Sequence, residues 1–342
     1  MLKEVFITTV TSYFPNSPID NNSMEDYLGL ISGVHSRVKN IVLRQNGIKQ
    51  RFYAVNTKQE MTHTNAELAQ LSIQKLLAEA LLPLQELELL ACATASPDQV
   101  LPSHASMVHG LLKNAPMEIF SASGICLSCI QAFKIAYLSI LAGNKRNAVC
   151  SCSELASAGL LSKNFDVEYE KCANLGIQPY MALEKDFLRF MLSDGASAVL
   201  LQDNPGKGKA LHIEWVEMTS YANELPTCMF MGAEKEKNGE LKSWKSFSSQ
   251  ELTDRSLFTV KQDIKLLERN AVPYWAKHIK YCLEKHNVAP ESISYVLPHV
   301  SSMFFYDKII NELKGIGIGI DESKWFTNLS KVGNIASAAI FA

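Results

Sequence analysis

The feature that most constrains the fold is a local pattern that occurs twice: an apolar strand-like run, a turn of small residues and an apolar helix-like run. The first copy passes through Ser121–Cys126 (SASGIC) before the apolar residues that begin at Leu127. The second passes through Ser330–Asn334 (SKVGN) before those that begin at Ile335. Strands that alternate with helices are typical of layered α/β proteins, because each helix covers a face of a sheet. The sequence therefore predicts an α/β protein made of two similar halves.

The spacing of apolar residues predicts individual elements, because helices and strands repeat with different periods. In the first half the predicted strands are Val5–Tyr13, Leu87–Thr94, Met117–Ser121, Ala148–Ser153 and Ala196–Gln202, and the predicted helices are Asn65–Leu81, Leu101–Lys113 and Leu127–Ala142. In the second half the same rhythm predicts a strand at Ala210–Thr219, a helix near Val260–His286, further elements at Ser294–Pro298, Ser302–Leu313 and Trp325–Leu329, and a last helix near Asn334.

A turn-rich stretch, Asp203–Lys209 (DNPGKGK), separates these two sets of elements. Glycine, proline and asparagine in succession are typical of turns and linkers. We therefore expect one half to span residues 1–204 and the other to span residues 208–342. The polar, charged stretch Ala233–Ser249 lacks a clear period and is predicted to be a surface excursion.

Composition excludes several classes of protein. Of 342 residues, 47% are apolar and 20% are charged, which fits a globular protein with a sizeable core. The net charge of −2 gives no reason to expect a nucleic-acid or membrane partner. The first residues have no apolar core of the signal-peptide kind, and no run of about 20 apolar residues is present. The eight cysteines are therefore expected to be reduced thiols in a cytoplasmic protein.

Cys126 has a position that favours reactivity. It precedes an apolar helix-like run, and a thiol at a helix start is exposed to the positive end of the helix dipole. Such surroundings lower a thiol pKa from about 8.5 towards roughly 3.5–7.5, so we expect a thiolate nucleophile. Two alternatives remain open from this segment: a packed core cysteine, and a redox pair with Cys129.

Several segments, in the correct order, resemble motifs of β-ketoacyl-ACP synthase III and its relatives. The matching segments are Arg44–Arg51 (RQNGIKQR), Ser121–Ala132 around Cys126, Leu192–Ala198 (LSDGASA), Val296–His299 (VLPH) and Gly333–Ala338 (GNIASA). A glycine seventeen residues after the family's cysteine corresponds to Gly143, which selects Cys126 over Cys129. The resemblance covers nearly the whole chain. It implies a thiolase-like, five-layered α-β-α-β-α sandwich and a homodimer.

The resemblance also implies a catalytic set of Cys126, His299 and Asn334. Cys126 would carry an acyl group as a thioester, while His299 and Asn334 would donate hydrogen bonds to the carbonyl oxygen of a malonyl-type extender. The implied reaction is decarboxylative Claisen condensation, which needs no metal or other cofactor. Its substrates would be acyl thioesters on the phosphopantetheine of coenzyme A or of an acyl carrier protein.

Some positions depart from the family pattern. Asn40 stands where typical members have a CoA-stacking tryptophan, and Val300–Ser302 lacks the usual glutamine and asparagine after the histidine. The stretch that contains Tyr180–Phe190 is longer than usual. These departures favour a specialised relative, similar to those of aryl-polyene or dialkylresorcinol pathways, that takes its acyl group from a carrier protein.

A cationic segment near the N-terminus is a candidate docking surface. Arg37, Lys39, Arg44 and Arg51 lie within a stretch that has no acidic residue. Such a surface would attract phosphopantetheine or an acidic carrier protein, although a merely solvated face is the alternative.

Three other functions share these motifs: acyl transfer to an oxygen or nitrogen acceptor, a non-catalytic partner subunit of a condensing complex, and a cysteine hydrolase. The resemblance further leads us to expect a natural chain that continues past Ala342 with two more strands and a glycine-rich loop.

Overall fold

The structure, a computed structural model, describes residues 2–174 and 186–342. Its strands are β1 (Phe6–Tyr13), β2 (Ile19–Asp20), β3 (Gln50–Arg51), β4 (Leu89–Thr94), β5 (Glu118–Ser123), β6 (Asn147–Glu154), β7 (Gly195–Gln202), β8 (Leu211–His212), β9 (Met229–Phe230), β10 (Ala233–Lys235), β11 (Leu241–Ser243) and β12 (Lys261–Gln262). Its labelled helices are α1 (Met24–Leu28), α2 (Lys39–Asn46), α3 (Asn65–Ala80), α4 (His104–Leu112), α5 (Ser128–Leu141), α6 (Ala156–Gly159), α7 (Asp166–Asn174), α8 (Ser249–Asp254), α9 (Ile264–Lys285), α10 (Met303–Gly315) and α11 (Leu329–Val332). A further helical turn covers residues 186–189, and a 3₁₀ helix spans Ala336–Phe341.

Six strands form one mixed sheet in the order β5-β4-β6-β7-β1-β8. β4 is parallel to β5 and β6, whereas β7 is antiparallel to β6 and β1. Every residue of β4 and β6 is buried, because α5 covers one face of the sheet and α3 covers the other. A strand that is covered on both faces needs a continuous run of small or apolar residues, which these two strands have.

The predicted elements of the first half are confirmed. The five predicted strands correspond to β1, β4, β5, β6 and β7, and the three predicted helices correspond to α3, α4 and α5. The predicted and observed ends of these elements differ by no more than three residues. The stretch predicted to be a surface excursion contains the hairpin of β10 and β11, of which β11 is exposed and β10 is partly buried.

The second half is mainly helical, with α9 and α10 packed against each other. Of the predicted strand Ala210–Thr219, only Leu211–His212 joins the sheet. The predicted elements at Ser294–Pro298 and Trp325–Leu329 form a single parallel bridge between Val296 and Trp325. The predicted elements were therefore wrong in length, since only one residue of each is paired. Within the described ranges, no third segment extends this bridge into a second large sheet.

The segment Tyr180–Phe190 lies mainly outside the described residues. The division at residues 204–208 falls in the turn-rich connection between β7 and β8, and it stays a prediction. Across residues 2–174 and 186–342, no helix has the length and apolar character needed to cross a bilayer.

Two buried arginines tie loops to the core. Arg51 is fully buried, and its Nη1 donates to Asn21 Oδ1 at 2.9 Å. Arg189 is also buried; its Nε donates to the carbonyl of Leu160 at 3.0 Å and its Nη2 donates to that of Gly29 at 2.8 Å. Buried charges are tolerated when most of their donors are paired. Arg51 Nε is an exception, since it has no hydrogen-bond partner among the described residues. Both side chains therefore act as internal crosslinks between segments that lack regular structure.

A glycine sets the path of the chain next to Asn334. Gly333 has φ +73°, and a Cβ placed there would lie 2.8 Å from Ser193 Cβ and 3.0 Å from Arg51 Cβ. Beyond it, the Asn334 carbonyl accepts from Ser193 N at 2.9 Å, and Asn334 N donates to the Met191 carbonyl at 3.2 Å. The close approach that only glycine allows thus fixes where Asn334 emerges.

Gly333→Ala should lower the free energy of unfolding by about 1–3 kcal/mol, because it adds backbone strain and a steric clash. Urea denaturation of the full chain measures this change. Gly208→Ala is the matched control, since no atom lies within 4 Å of its Cβ position, and it should change stability by no more than about 0.5 kcal/mol. Equal stability of the two variants would contradict the packing described for Gly333.

Candidate active site

One cavity, with a volume of about 720 Å³, brings together the three residues predicted to be catalytic. Cys126 reaches it from the turn before α5, His299 from the segment after the Val296 bridge, and Asn334 from the segment after α11. The cavity lies in the size range of small-molecule sites, which is about 300–1,000 Å³. Residues far apart in sequence and on different elements therefore face one space.

Cys126 is half-buried and lies two residues before the first residue of α5. Burial raises the pKa of its thiol to about 12, and the nearby Glu154 and Cys129 add to the increase. The expected lowering of this pKa by the helix dipole was therefore wrong. The penalty for placing a charged sulfur in poorly hydrated surroundings outweighs the attraction of the helix end. The Cys126 side chain is therefore a thiol at neutral pH.

Cys129 is a core residue. It is buried in the sheet-facing side of α5, and its Sγ donates to the Cys126 carbonyl at 3.2 Å. Farther into the core, the Sγ atoms of Cys150 and Cys152 lie 3.9 Å apart. These cysteines are unbridged thiols.

His299 contributes a neutral imidazole. Neither ring nitrogen has a hydrogen-bond partner among the described residues, and both nitrogens are inaccessible to solvent. Burial lowers the pKa of His299 to about 4, so the ring is uncharged at neutral pH. A neutral imidazole has one N–H donor and one acceptor nitrogen, and neither is used by the described residues.

Asn334 has a defined orientation of its amide. Its Oδ1 accepts from the backbone N–H of Ala336 at 3.0 Å, which leaves Nδ2 as the group that can donate to a ligand. Ala336 has φ +41°, a left-handed conformation that costs energy for a residue with a Cβ. The turn is retained because the next residue, Ser337, is held by a buried carboxylate.

That carboxylate belongs to Glu154, a cavity residue that the sequence analysis missed. It accepts from Ser96 Oγ at 2.6 Å and from the backbone N–H groups of Ala95 at 3.0 Å and Ser337 at 3.2 Å. The hydroxyl of Ser337 donates to the same carboxylate. Burial raises the pKa of Glu154, while these donors oppose the increase. The carboxylate joins the ends of β4 and β6 to the turn that carries Asn334.

A signal for Glu154 was present in the sequence. Glu154 is the last residue of the strand NAVCSCSE, in which every residue is buried. An acidic residue at the end of a fully buried strand needs several hydrogen-bond donors, so it marks a site where polar groups converge.

The cationic segment is only partly available for docking. Arg37 and Arg44 are exposed. Lys39 forms an ion pair with Glu25 at 2.9 Å, and its side chain is 15% exposed. Arg51 lies in the interior, which corrects the surface role expected for it. Arg51, which lies in one of the family-like motifs, therefore has a structural role, because its guanidinium links loops.

No protein-family model matches the chain. Among curated proteins, β-ketoacyl-ACP synthase III of Clostridium perfringens strain SM101 is 23% identical over 328 residues, which cover 96% of this chain and 85% of that protein. The synthase of the same name from Aquifex aeolicus is 27% identical over 299 residues, which cover 87% and 78%.

Solved structures give a similar result. The tetronic acid condensing enzyme AbyA1 superposes with a TM-score of 0.71 at 20% identity, covering 98% of this chain and 89% of that one. OleA of Xanthomonas campestris, in a structure with bound lauric acid and lauroyl-CoA, superposes with a TM-score of 0.69 at 17% identity, covering 99% and 89%. The chain therefore has the thiolase-like α/β fold, as predicted. Its sequence relatives and structural neighbours are condensing enzymes.

The high pKa of Cys126 predicts how alkylation of this residue depends on pH. Because the pKa is raised to about 12, the thiolate fraction should grow about tenfold per pH unit from pH 7 to 10, without a plateau. Iodoacetamide labelling followed by peptide mass spectrometry measures the rate at Cys126. In Glu154→Gln the rate at pH 8 should be about 3–10-fold higher, since the negative charge that disfavours the thiolate is removed.

Glu60→Gln is the control, because Glu60 is an exposed carboxylate that does not line the cavity. It should label at the rate of the unmodified chain. A plateau below pH 9 in the unmodified chain would mean that the thiol pKa is lowered, as expected from the helix dipole. It would contradict an increase of that pKa by burial.

Proposed function

We propose that this chain catalyses decarboxylative Claisen condensation of acyl thioesters, as a β-ketoacyl-ACP synthase III-like acyltransferase. The observation that carries the proposal is the convergence of Cys126, His299 and Asn334, from both halves, on one cavity. The likeness to condensing enzymes over almost the whole chain supports it. A thiol, a neutral imidazole and a free amide donor are the groups that this chemistry needs.

In the first step, Cys126 Sγ attacks the carbonyl carbon of the acyl donor. The thiol is protonated at rest, so its proton must leave as the S–C bond forms, and the unprotonated nitrogen of His299 is available to accept it. The tetrahedral intermediate then releases the donor thiol, which takes the proton back. The chain is left with an acyl group on Cys126.

In the second step, the bond between the carboxylate and the α-carbon of a malonyl-type thioester breaks. Carbon dioxide leaves, and the electron pair moves onto the thioester carbonyl as an enolate. The N–H of His299 and Nδ2 of Asn334 donate to the enolate oxygen. The α-carbon then attacks the acyl-Cys126 carbonyl, which expels the sulfur of Cys126 as a thiolate and gives a β-ketoacyl product. The thiolate takes up a proton from water, which restores the thiol.

The donor is proposed to be an acyl group on coenzyme A or on an acyl carrier protein. The structure of OleA with lauroyl-CoA supports a thioester with an alkyl chain. No metal or redox cofactor takes part in the proposed steps. We further propose that the chain acts as a homodimer. We also propose that it serves a specialised pathway of the aryl-polyene or dialkylresorcinol kind, because Asn40 stands where typical members have a CoA-stacking tryptophan.

Substitution of the three residues should separate the two steps. Cys126→Ala should abolish acylation, measured by intact and peptide mass spectrometry. His299→Ala and Asn334→Ala should lower carbon dioxide release from malonyl-carrier protein by about 10²–10³-fold, because each removes a donor to the enolate. Of these two, Asn334→Ala should still form the acyl-enzyme. Cys282→Ala, which removes a thiol outside this cavity, should keep both activities. Acylation of Cys126 without carbon dioxide release would favour acyl transfer to another acceptor.

The remaining docking residues give a separate prediction. Arg37→Glu should raise KM for the acyl-carrier protein several-fold at low salt and leave kcat unchanged, because an exposed charge steers association. The difference should shrink as ionic strength rises. Lys58→Glu, an exposed charge reversal outside this segment, is the control. Unchanged kinetics and unchanged salt dependence for Arg37→Glu would refute the docking role.

A further inference from the structure

The carboxylate of Glu154 is close to the nucleophile and is bonded to the turn after Asn334. Glu154 is 1% exposed, and it lines the same cavity as Cys126 and Asn334. The interactions that favour its charged form are hydrogen bonds from two serine hydroxyls and two backbone N–H groups. Backbone N–H groups can only donate, so they favour the anion over the neutral acid. The ionised carboxylate places a negative charge near the Cys126 thiol, whose pKa it helps to raise.

The two oxygens of Glu154 have different partners. Oε1 accepts from Ser337 N at 3.2 Å and from the Ser337 hydroxyl, and it also accepts from Ala95 N at 3.0 Å. Oε2 accepts from Ser96 Oγ at 2.6 Å. Oε1 is therefore the atom that joins the Asn334 turn to the segment after β4. A substitution that removes the charge but retains Oε1 leaves this connection in place.

Ser337 controls the turn through the residue before it. The backbone N–H of Ala336 donates to Asn334 Oδ1 at 3.0 Å, which fixes the direction of the amide. Ala336 has φ +41°, a conformation that costs energy for a residue with a Cβ, so it relaxes unless its neighbours restrain it. The two bonds from Ser337 to Glu154 supply that restraint. Release of Ser337 would therefore turn the Ala336 N–H, and with it the Asn334 amide.

We propose that Glu154 is a positioning residue with opposite effects on the two proposed steps. Its negative charge opposes nucleophilic attack by Cys126, and its bonds to Ser337 hold Asn334 in place for decarboxylation. This inference rests on the proposed function, because it assigns a role within the same two-step reaction. The two effects are separable, since the first depends on a charge and the second on hydrogen bonds.

The opposite directions follow from the chemistry of each step. Attack on the acyl donor requires the Cys126 sulfur to lose its proton, and a nearby negative charge makes that loss more costly. Decarboxylation requires Asn334 Nδ2 to meet the enolate oxygen, and a displacement of about 1 Å can cost on the order of 10²-fold in rate. A residue that only stabilised the fold would affect both steps in the same direction.

Two substitutions separate the charge from the hydrogen bond. Ser337→Ala removes a donor to Oε1, so kcat for carbon dioxide release from malonyl-carrier protein should fall about tenfold while KM stays within about twofold. Iodoacetamide labelling of Cys126 should change by less than about twofold in this variant. Glu154→Gln removes the charge and keeps Oε1, so labelling should rise about 3–10-fold while carbon dioxide release changes by less than about threefold. Ser246→Ala and Glu60→Gln, at exposed positions, are the controls.

A double variant shows whether Ser337 acts through Asn334. In the Asn334→Ala background the amide donor is already absent, so adding Ser337→Ala should lower carbon dioxide release by less than about a further twofold. A further tenfold loss in this background would show that Ser337 acts independently of Asn334, and would overturn the positioning role.

Crystal structures of the unmodified and Ser337→Ala chains give a readout that does not depend on the reaction. We expect Asn334 Nδ2 to move by more than about 0.5 Å when the Ser337 hydroxyl is removed. Equal losses of labelling and carbon dioxide release in Ser337→Ala and Glu154→Gln would show a merely structural role and would also overturn the proposal. If the unmodified chain releases no carbon dioxide, the proposed reaction is rejected, and an unmoved Asn334 amide then rejects the positioning role as well.

Discussion

The arrangement of the site depends on the buried carboxylate of Glu154. Its oxygens accept from Ala95 and Ser96 after β4 and from Ser337 beyond Asn334. These bonds join the carboxyl-terminal ends of β4 and β6, in the first-half sheet, to the turn after Asn334, which belongs to the second half. Without them, the strained backbone at Ala336 would have little to hold it. The same carboxylate lies near Cys126 and disfavours its thiolate, so one group affects both the geometry and the charge of the site.

This electrostatic balance determines the kind of chemistry that the cavity can support. A protonated Cys126 and an uncharged His299 form a pair without net charge, in contrast to a thiolate–imidazolium pair. In the proposed reaction, nucleophilic attack is therefore coupled to proton transfer and becomes favourable only when a thioester carbonyl is in place. A reactive thiolate would be open to oxidation at rest. A neutral site avoids this, and it suits a cavity whose walls are largely apolar.

Sequence patterns predicted the strands of the first half well and those of the second half poorly, for a physical reason. The elements predicted near Val260–His286 and at Ser302–Leu313 are confirmed as α9 and α10. β4 and β6 are covered on both faces, so their apolar runs are long and unambiguous. Ser294–Pro298 forms one bridge only, and its apolar residues carry no signal that distinguishes a bridge from a strand. The motifs located Cys126, His299 and Asn334. They did not disclose that Arg51 is buried or that the thiol pKa is raised, because both depend on what folding places around those groups.

The proposed reaction requires His299 and Asn334 to hold the carbonyl oxygen of the extender while its α-carbon faces the acyl group on Cys126. A crystal structure of the chain with a malonyl-thioester analogue that resists decarboxylation would show this arrangement. We expect a ring nitrogen of His299 and Nδ2 of Asn334 both to lie within about 3.5 Å of the same thioester oxygen. We also expect the α-carbon of the analogue to face Cys126 Sγ. An analogue bound elsewhere, or a His299 ring turned away from the oxygen, would rule this arrangement out.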